Sequence, residues 1–102
     1  MPRLDQLLEL LKLEPNDSFL RYGVAMEYAK VAQYPDAIRE FEELLRRDGD
    51  YVPAFFMAGR TQEQAGEPEL AKDWYRRGII TAKKVGDTHA AGEIAAALDA
   101  IS

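Results

Sequence analysis

Residues 32–45, AQYPDAIREFEELL, decide how this chain is read, because residues 65–80, AGEPELAKDWYRRGII, restate them in other letters. In the first stretch Ala37, Ile38, Phe41, Leu44 and Leu45 recur at helical spacing and define an inner side. Pro35 suits the first turn of that helix, where its missing N–H costs nothing. On the outer side Arg39–Glu43, Glu42–Arg46 and Glu43–Arg47 stand four residues apart, the register of helical ion pairs. Asp36 near the start and Arg46-Arg47 at the end both complement the macrodipole, and Asp48-Gly49-Asp50 is the stop.

Working outward, Asn16, Asp17 and Ser18 are N-cap candidates for a preceding helix that carries Phe19, Tyr22, Val24, Ala25, Tyr28 and Ala29. It runs to about Ala32, with a break expected at Gln33-Tyr34. Before it, Leu4, Leu7, Leu8, Leu10 and Leu11 form a leucine stripe that ends at Pro15 and Asn16. Downstream the plan recurs: a helix from about Val52 to Ala65, a turn at Gly66-Glu67-Pro68, and a second helix from Glu69 to Lys84. Gly86-Asp87 breaks again, and Asp87 or Thr88 caps a last helix, Thr88 to Ile101, with Ala91, Ile94, Ala95, Leu98 and Ile101 inward. No segment alternates as a strand does. The expected fold is all-α, with about six helices in antiparallel pairs within one domain. Its parts are a half-unit helix over 3–14, one unit over 18–50, a second over 52–84 and a capping helix over 87–101.

Ala37 and Ala71 stand 34 residues apart, as do Phe41 and Tyr75, and Ala25 and Gly59. A period of that length built from two helices marks a helical solenoid. What recurs is size. Ala25 and Gly59 are expected where the two helices of one unit cross closely, and Ala37 and Ala71 where the second helix opens against the first. Phe41 and Tyr75 are expected to fill the space between stacked units. Letters can drift while volumes are held by close packing.

These positions resemble the tetratricopeptide repeat. The first unit reads Val24-Ala25, Tyr28, Ala37, Phe41 and Leu44, and the second Phe55, Ala58-Gly59, Ala71, Tyr75 and Gly78. Departures from the pattern are Arg21 in place of a large aromatic, Gln62 in place of a tyrosine and Gly49 where proline is usual. The frame also slips by one at Gly92, which follows Gly59 by 33 residues. The resemblance implies a right-handed α-α superhelix whose first-of-pair helices line a concave face. On that implication the concave positions are Phe19, Tyr22, Met26 and Ala29, with Lys30 beside them, then Pro53, Phe56, Arg60 and Glu63. His89 and Glu93 extend the surface from the last helix. Such a face suits a peptide segment or domain of a partner protein, the aromatics and Met26 supplying apolar burial and the cations orienting a carboxylate. Packing of these same side chains against neighbouring helices is the competing expectation. The family's two-carboxylate clamp of lysines and asparagines is not expected, since the sole asparagine is Asn16.

Composition narrows the function further. The chain of 102 residues is 47% hydrophobic and 30% charged with net charge −5, so no general attraction to nucleic acid or an anionic membrane is expected. It has no cysteine, which excludes disulfides and thiol chemistry, and a single histidine, which excludes a histidine-rich metal site. Asp5, Glu9 and Glu14 interrupt the leucines of the N-terminal stretch, which therefore lacks a signal-peptide core, and a cytoplasmic protein is expected. Glu40, Glu42 and Glu43 read as a solvated face, and no nucleophile-base constellation or phosphate-cradling glycine loop is present. The reading is a non-enzymatic adaptor or scaffold with no cofactor and no metal. The alternative is a structural homodimer, built through the leucines of the first helix or through Ala90, Ala91, Ala95, Ala96, Ala97 and Ala100 of the last.

Overall fold

The computed structural model describes residues 3–102; Met1 and Pro2, which open the stretch read as lacking a leader, lie outside them. Six helices are present among the described residues: α1 (Arg3–Leu13), α2 (Ser18–Lys30), α3 (Tyr34–Arg47), α4 (Val52–Gln64), α5 (Pro68–Lys84) and α6 (Thr88–Ile101). No strand forms among them. They gather into two compact units, Met1–Gly49 with α1 to α3 and Asp50–Ser102 with α4 to α6.

Local chemistry explains the helix starts. Asp17 caps α2, its Oδ1 accepting from the Leu20 amide at 2.9 Å, and Asp87 caps α6 by accepting from the Ala90 amide at 3.0 Å. Helices α3, α4 and α5 lack a side-chain cap and instead carry proline in the first turn.

Three of the helix ends share one backbone device. After α2, α4 and α5 the residues Ala32, Gly66 and Gly86 adopt φ of 62°, 79° and 78°. The following amides of Gln33, Glu67 and Asp87 then reach back to the carbonyls of Tyr28, Gln62 and Ala82 at 2.8–2.9 Å. α2 therefore closes at Lys30, two residues before the expected Ala32, and Tyr34 belongs to α3 rather than to the break. Ala32 holds a left-handed conformation that costs an L-residue about 1–2 kcal/mol.

In the second unit Gly59 of α4 lies directly against the Tyr75 ring of α5. A Cβ there would stand 2.6 Å from Cδ1 and 2.8 Å from Cζ of Tyr75, and nearer still to Cε1. Ala71 and Tyr75 are fully buried, in one apolar cluster with Val52, Ala82, Ala91 and Ile94. Tyr75 thus fills its own hairpin as well as the space toward α6, a wider task than packing between stacked units alone. In the first unit Ala25, Ala37 and Phe41 are fully buried. Phe41 meets Tyr22 of the same helix pair edge-on, with centroids 6.2 Å apart. Leu7 and Leu11 of α1 pack with Val24 of α2.

Two expectations about charge are corrected. On α3 the Glu43–Arg47 pair forms at 2.6 Å, but Arg39 turns back to Asp36 at 2.7 Å and Arg46 also pairs with Glu43. Helical side chains lean toward the N-terminus, which puts a partner three residues back within easy reach. Glu40 does not lie on a solvated face. It accepts from Arg21 Nη1 at 2.7 Å, and both side chains are largely buried.

Candidate functional site

On α2 the expected site residues lie at Phe19, Tyr22, Met26 and Lys30. Phe19 is 76% exposed, the highest value among the large aromatics of the chain, while Lys30 is exposed at the helix end. Tyr22 and Met26 are half-buried, and Tyr22 is committed in part to Phe41. Display therefore falls to Phe19 and Lys30 at the ends of this set, and partial packing to Tyr22 and Met26 between them.

The second unit brings its members together more closely. Phe56 is half-buried, tilted against Tyr75 at 6.2 Å, and carries the Arg60 guanidinium 5.8 Å from its ring centroid. A cation held over an aromatic face in this way is attracted by the ring quadrupole. Glu63 accepts a hydrogen bond from the Tyr75 hydroxyl. Burial first, then that carboxylate, pushes the phenol well above its ordinary value, so Tyr75 remains a neutral donor. Glu63 thereby secures the core tyrosine in addition to facing the surface.

On α6 His89 and Glu93 are both exposed and face each other at 3.3 Å, Nε2 to Oε1. Glu93 also lines an open groove of about 190 Å³ together with Val52, Pro53, Phe56, Asp87, Ala90 and Ile94. Sequence reasoning named Pro53, Phe56 and Glu93. It missed that Asp87 and Ala90 complete the walls, since a groove arises from how α4 and α6 meet rather than from either helix.

The first unit holds a polar cluster that the sequence did not announce. Arg21 donates to Glu40 and, through Nη2, to the Pro15 carbonyl at 3.1 Å. Arg47 reaches Asn16 Oδ1 at 2.6 Å, and Ser18 donates to Asp48 at 2.8 Å. These contacts fasten the α1–α2 connection to α3. The lost aromatic at Arg21 is replaced by ionic bonding, and the only warning was an arginine at a position expected to be bulky and apolar.

The described residues contain no cluster of His and carboxylate side chains able to hold a metal ion, and no described helix is long and apolar enough to cross a membrane. Of the leucines expected to serve self-association, Leu10 and Leu13 are exposed on α1, whereas Leu7 and Leu11 are buried.

Among solved structures, the solution structure of a tetratricopeptide repeat domain protein from Salinibacter ruber is 32% identical to this chain. Its TM-score is 0.80 over 86% of this chain and 89% of that one. A crystal structure of the same Salinibacter ruber domain, also 32% identical, matches at 0.73 over 83% and 94%. The fold is shared with a Bordetella parapertussis protein, 22% identical with TM-score 0.86 over 99% and 88% of the two chains. It is shared too with PcrH in complex with the chaperone binding region of PopD, 17% identical with TM-score 0.86 over 96% and 74%. No family model matches the chain, and no curated protein does.

Proposed function

Because the chain belongs to the tetratricopeptide repeat family, we propose that it is a protein-binding adaptor that holds a segment of a partner polypeptide on its first-of-pair helices, without catalysing a reaction on it. The observation that carries this is the second-unit surface, where Phe56, stacked under Arg60, lies along an open apolar groove rather than sealed within the core. Aromatic anchors beside arginine are the side chains that dominate protein-protein contacts. In the first unit Phe19, held out in solvent one turn before Tyr22 and two before Met26, supplies the corresponding anchor. PcrH, which shares the fold, was solved with a segment of a second protein, and this supports the same use here. The cytoplasm is the compartment we propose for it.

The test is an unbiased peptide-display selection against the purified protein, repeated with Phe19→Ala and with Arg60→Ala. Both positions are exposed, so neither substitution opens the core. Enriched peptides that bind the wild type and lose affinity for either variant support the reading. A selection that enriches nothing refutes it. Exposed Leu10 and Leu13 favour a second reading, self-association through α1. Light scattering after size exclusion reports a dimer if that holds, and a dimer that survives Leu10→Lys with Leu13→Lys excludes this surface.

A further inference from the structure

We infer that the groove between α4 and α6 selects a partner segment with one apolar side chain directly beside a lysine or arginine. The inference rests on the protein-binding reading above and specifies what the second unit recognises.

Volume comes first. At about 190 Å³ the groove is smaller than the roughly 300–1,000 Å³ typical of small-molecule and cofactor sites. It would hold about six waters at roughly 30 Å³ each, which is the scale of one large side chain. Phe56, half-buried, supplies the accessible apolar wall; Val52 and Ile94 line the groove as core residues only 6% and 1% exposed, while Pro53 and Ala90 keep the walls low. Ala90 is half-buried and small, so an entering side chain meets a methyl group rather than a bulky wall.

Charge then sets what accompanies that side chain. The two ionisable groups lining the groove are both carboxylates, Asp87 and Glu93. One oxygen of Asp87 accepts from the Ala90 amide at 3.0 Å, and the residue is exposed. Glu93 is exposed, and its ionic partner is the still more exposed His89. Arg60 lies on the Phe56 ring but is not among the lining residues. An acidic segment would bring its charge against two carboxylates, on a protein whose net charge is already −5. A basic residue flanking the buried side chain meets complementary charge. This reverses, for the second unit, the expectation that cations on this face orient a carboxylate.

The experiment uses the full chain labelled with nitrogen-15 and three Gly-Ser peptides that carry Lys-Leu-Lys, Glu-Leu-Glu or Lys-Ser-Lys at their centre. The Lys-Leu-Lys peptide is expected to shift the amides of Phe56, Ala90 and Glu93 saturably. It should bind about fivefold tighter than Glu-Leu-Glu, the upper scale of one exposed ion pair, and about tenfold or more tighter than Lys-Ser-Lys, the scale of burying one leucine side chain. Glu93→Lys, at an exposed position, is expected to reverse the preference between the two leucine peptides. Ala90→Leu, with its fold checked by circular dichroism, fills the groove and should abolish the shifts. The inference is overturned if the groove amides stay silent, if Glu-Leu-Glu is preferred, or if Lys-Ser-Lys binds as well as Lys-Leu-Lys. It is also overturned if the same amides move on dilution without peptide, since a second copy of the chain would then occupy the groove. Should display-selected peptides bind while shifting only amides elsewhere, this inference fails and the adaptor reading stands; an empty selection removes the adaptor reading itself.

Discussion

The same substitution, glycine to alanine, is expected to act with opposite sign at two positions of the second unit. Gly92 lies within α6, and a Cβ added there meets nothing within 4 Å. Alanine at a free helical position gains about 0.5–1 kcal/mol from the lower backbone entropy of the unfolded chain. At Gly59 the same gain is opposed by collision with the Tyr75 ring at 2.6–2.8 Å, and closer at Cε1. That ring cannot swing aside cheaply, because it is fully buried, tilted against Phe56 and bonded to Glu63. Overpacking of a tight core costs about 1–3 kcal/mol, and a contact this short belongs at the upper end. About 3 kcal/mol of cost against about 1 kcal/mol of gain leaves Gly59→Ala destabilised by about 2 kcal/mol. Urea unfolding followed by far-UV circular dichroism reads both variants, with unchanged slope as the control for denatured-state effects. Thermal melts should move in the same directions, by roughly 4–8 °C per kcal/mol at this domain size. Tyr75→Leu combined with Gly59→Ala should cost less than the sum of the single changes, because the smaller side chain removes the collision. A neutral or stabilising Gly59→Ala would refute the argument that residue size at this crossing is what the repeat preserves.

Two further expectations concern charge. Arg21→Met strands the Glu40 carboxylate in a largely buried site and should cost about 3 kcal/mol, the lower end for a broken buried pair; adding Glu40→Leu should return stability to within about 1 kcal/mol of wild type. Equal urea midpoints for the single and double variants would contradict this. The Glu43 carboxyl is held down to about 2, first by its hydrogen bond from Arg46 and then by that from Arg47. A depressed carboxyl contributes stability above its ordinary value near 4.5 and loses it as pH falls toward 2. The stability difference between wild type and Glu43→Gln should therefore be flat at neutral pH and vanish across that acid window, and a difference constant to pH 2 would discount the contact.

The helical pairs were legible in the sequence because steric demands repeat with a fixed period. Ala25, Ala37, Gly59 and Ala71 could be named from spacing alone, since a crossing point tolerates only small residues. Arg21 and Glu40 escaped because ionic partners obey no such period. Nineteen residues separate them, and although Arg21 stands out as a departure from the repeat, nothing in the sequence pairs it with Glu40. The end of α2 was misplaced for a different reason: an alanine with φ of 62° looks like any helical alanine, although Ala32 stands 34 residues before Gly66 and occupies the same turn. Of the groove, Phe56 and Glu93 were named through the resemblance to the repeat family, whose concave positions carry over onto them. The part played by Asp87 and Ala90 emerged only from the meeting of α4 with α6.

The reversals after α2, α4 and α5 are closed by amide and carbonyl groups that every residue except proline carries in full. Such a joint asks its side chains for a single concession, tolerance of an unusual dihedral at one place. Drift can rewrite the corner letter by letter without prising it open, so kinship in this chain is kept by the course of the main chain long after spelling has ceased to show it.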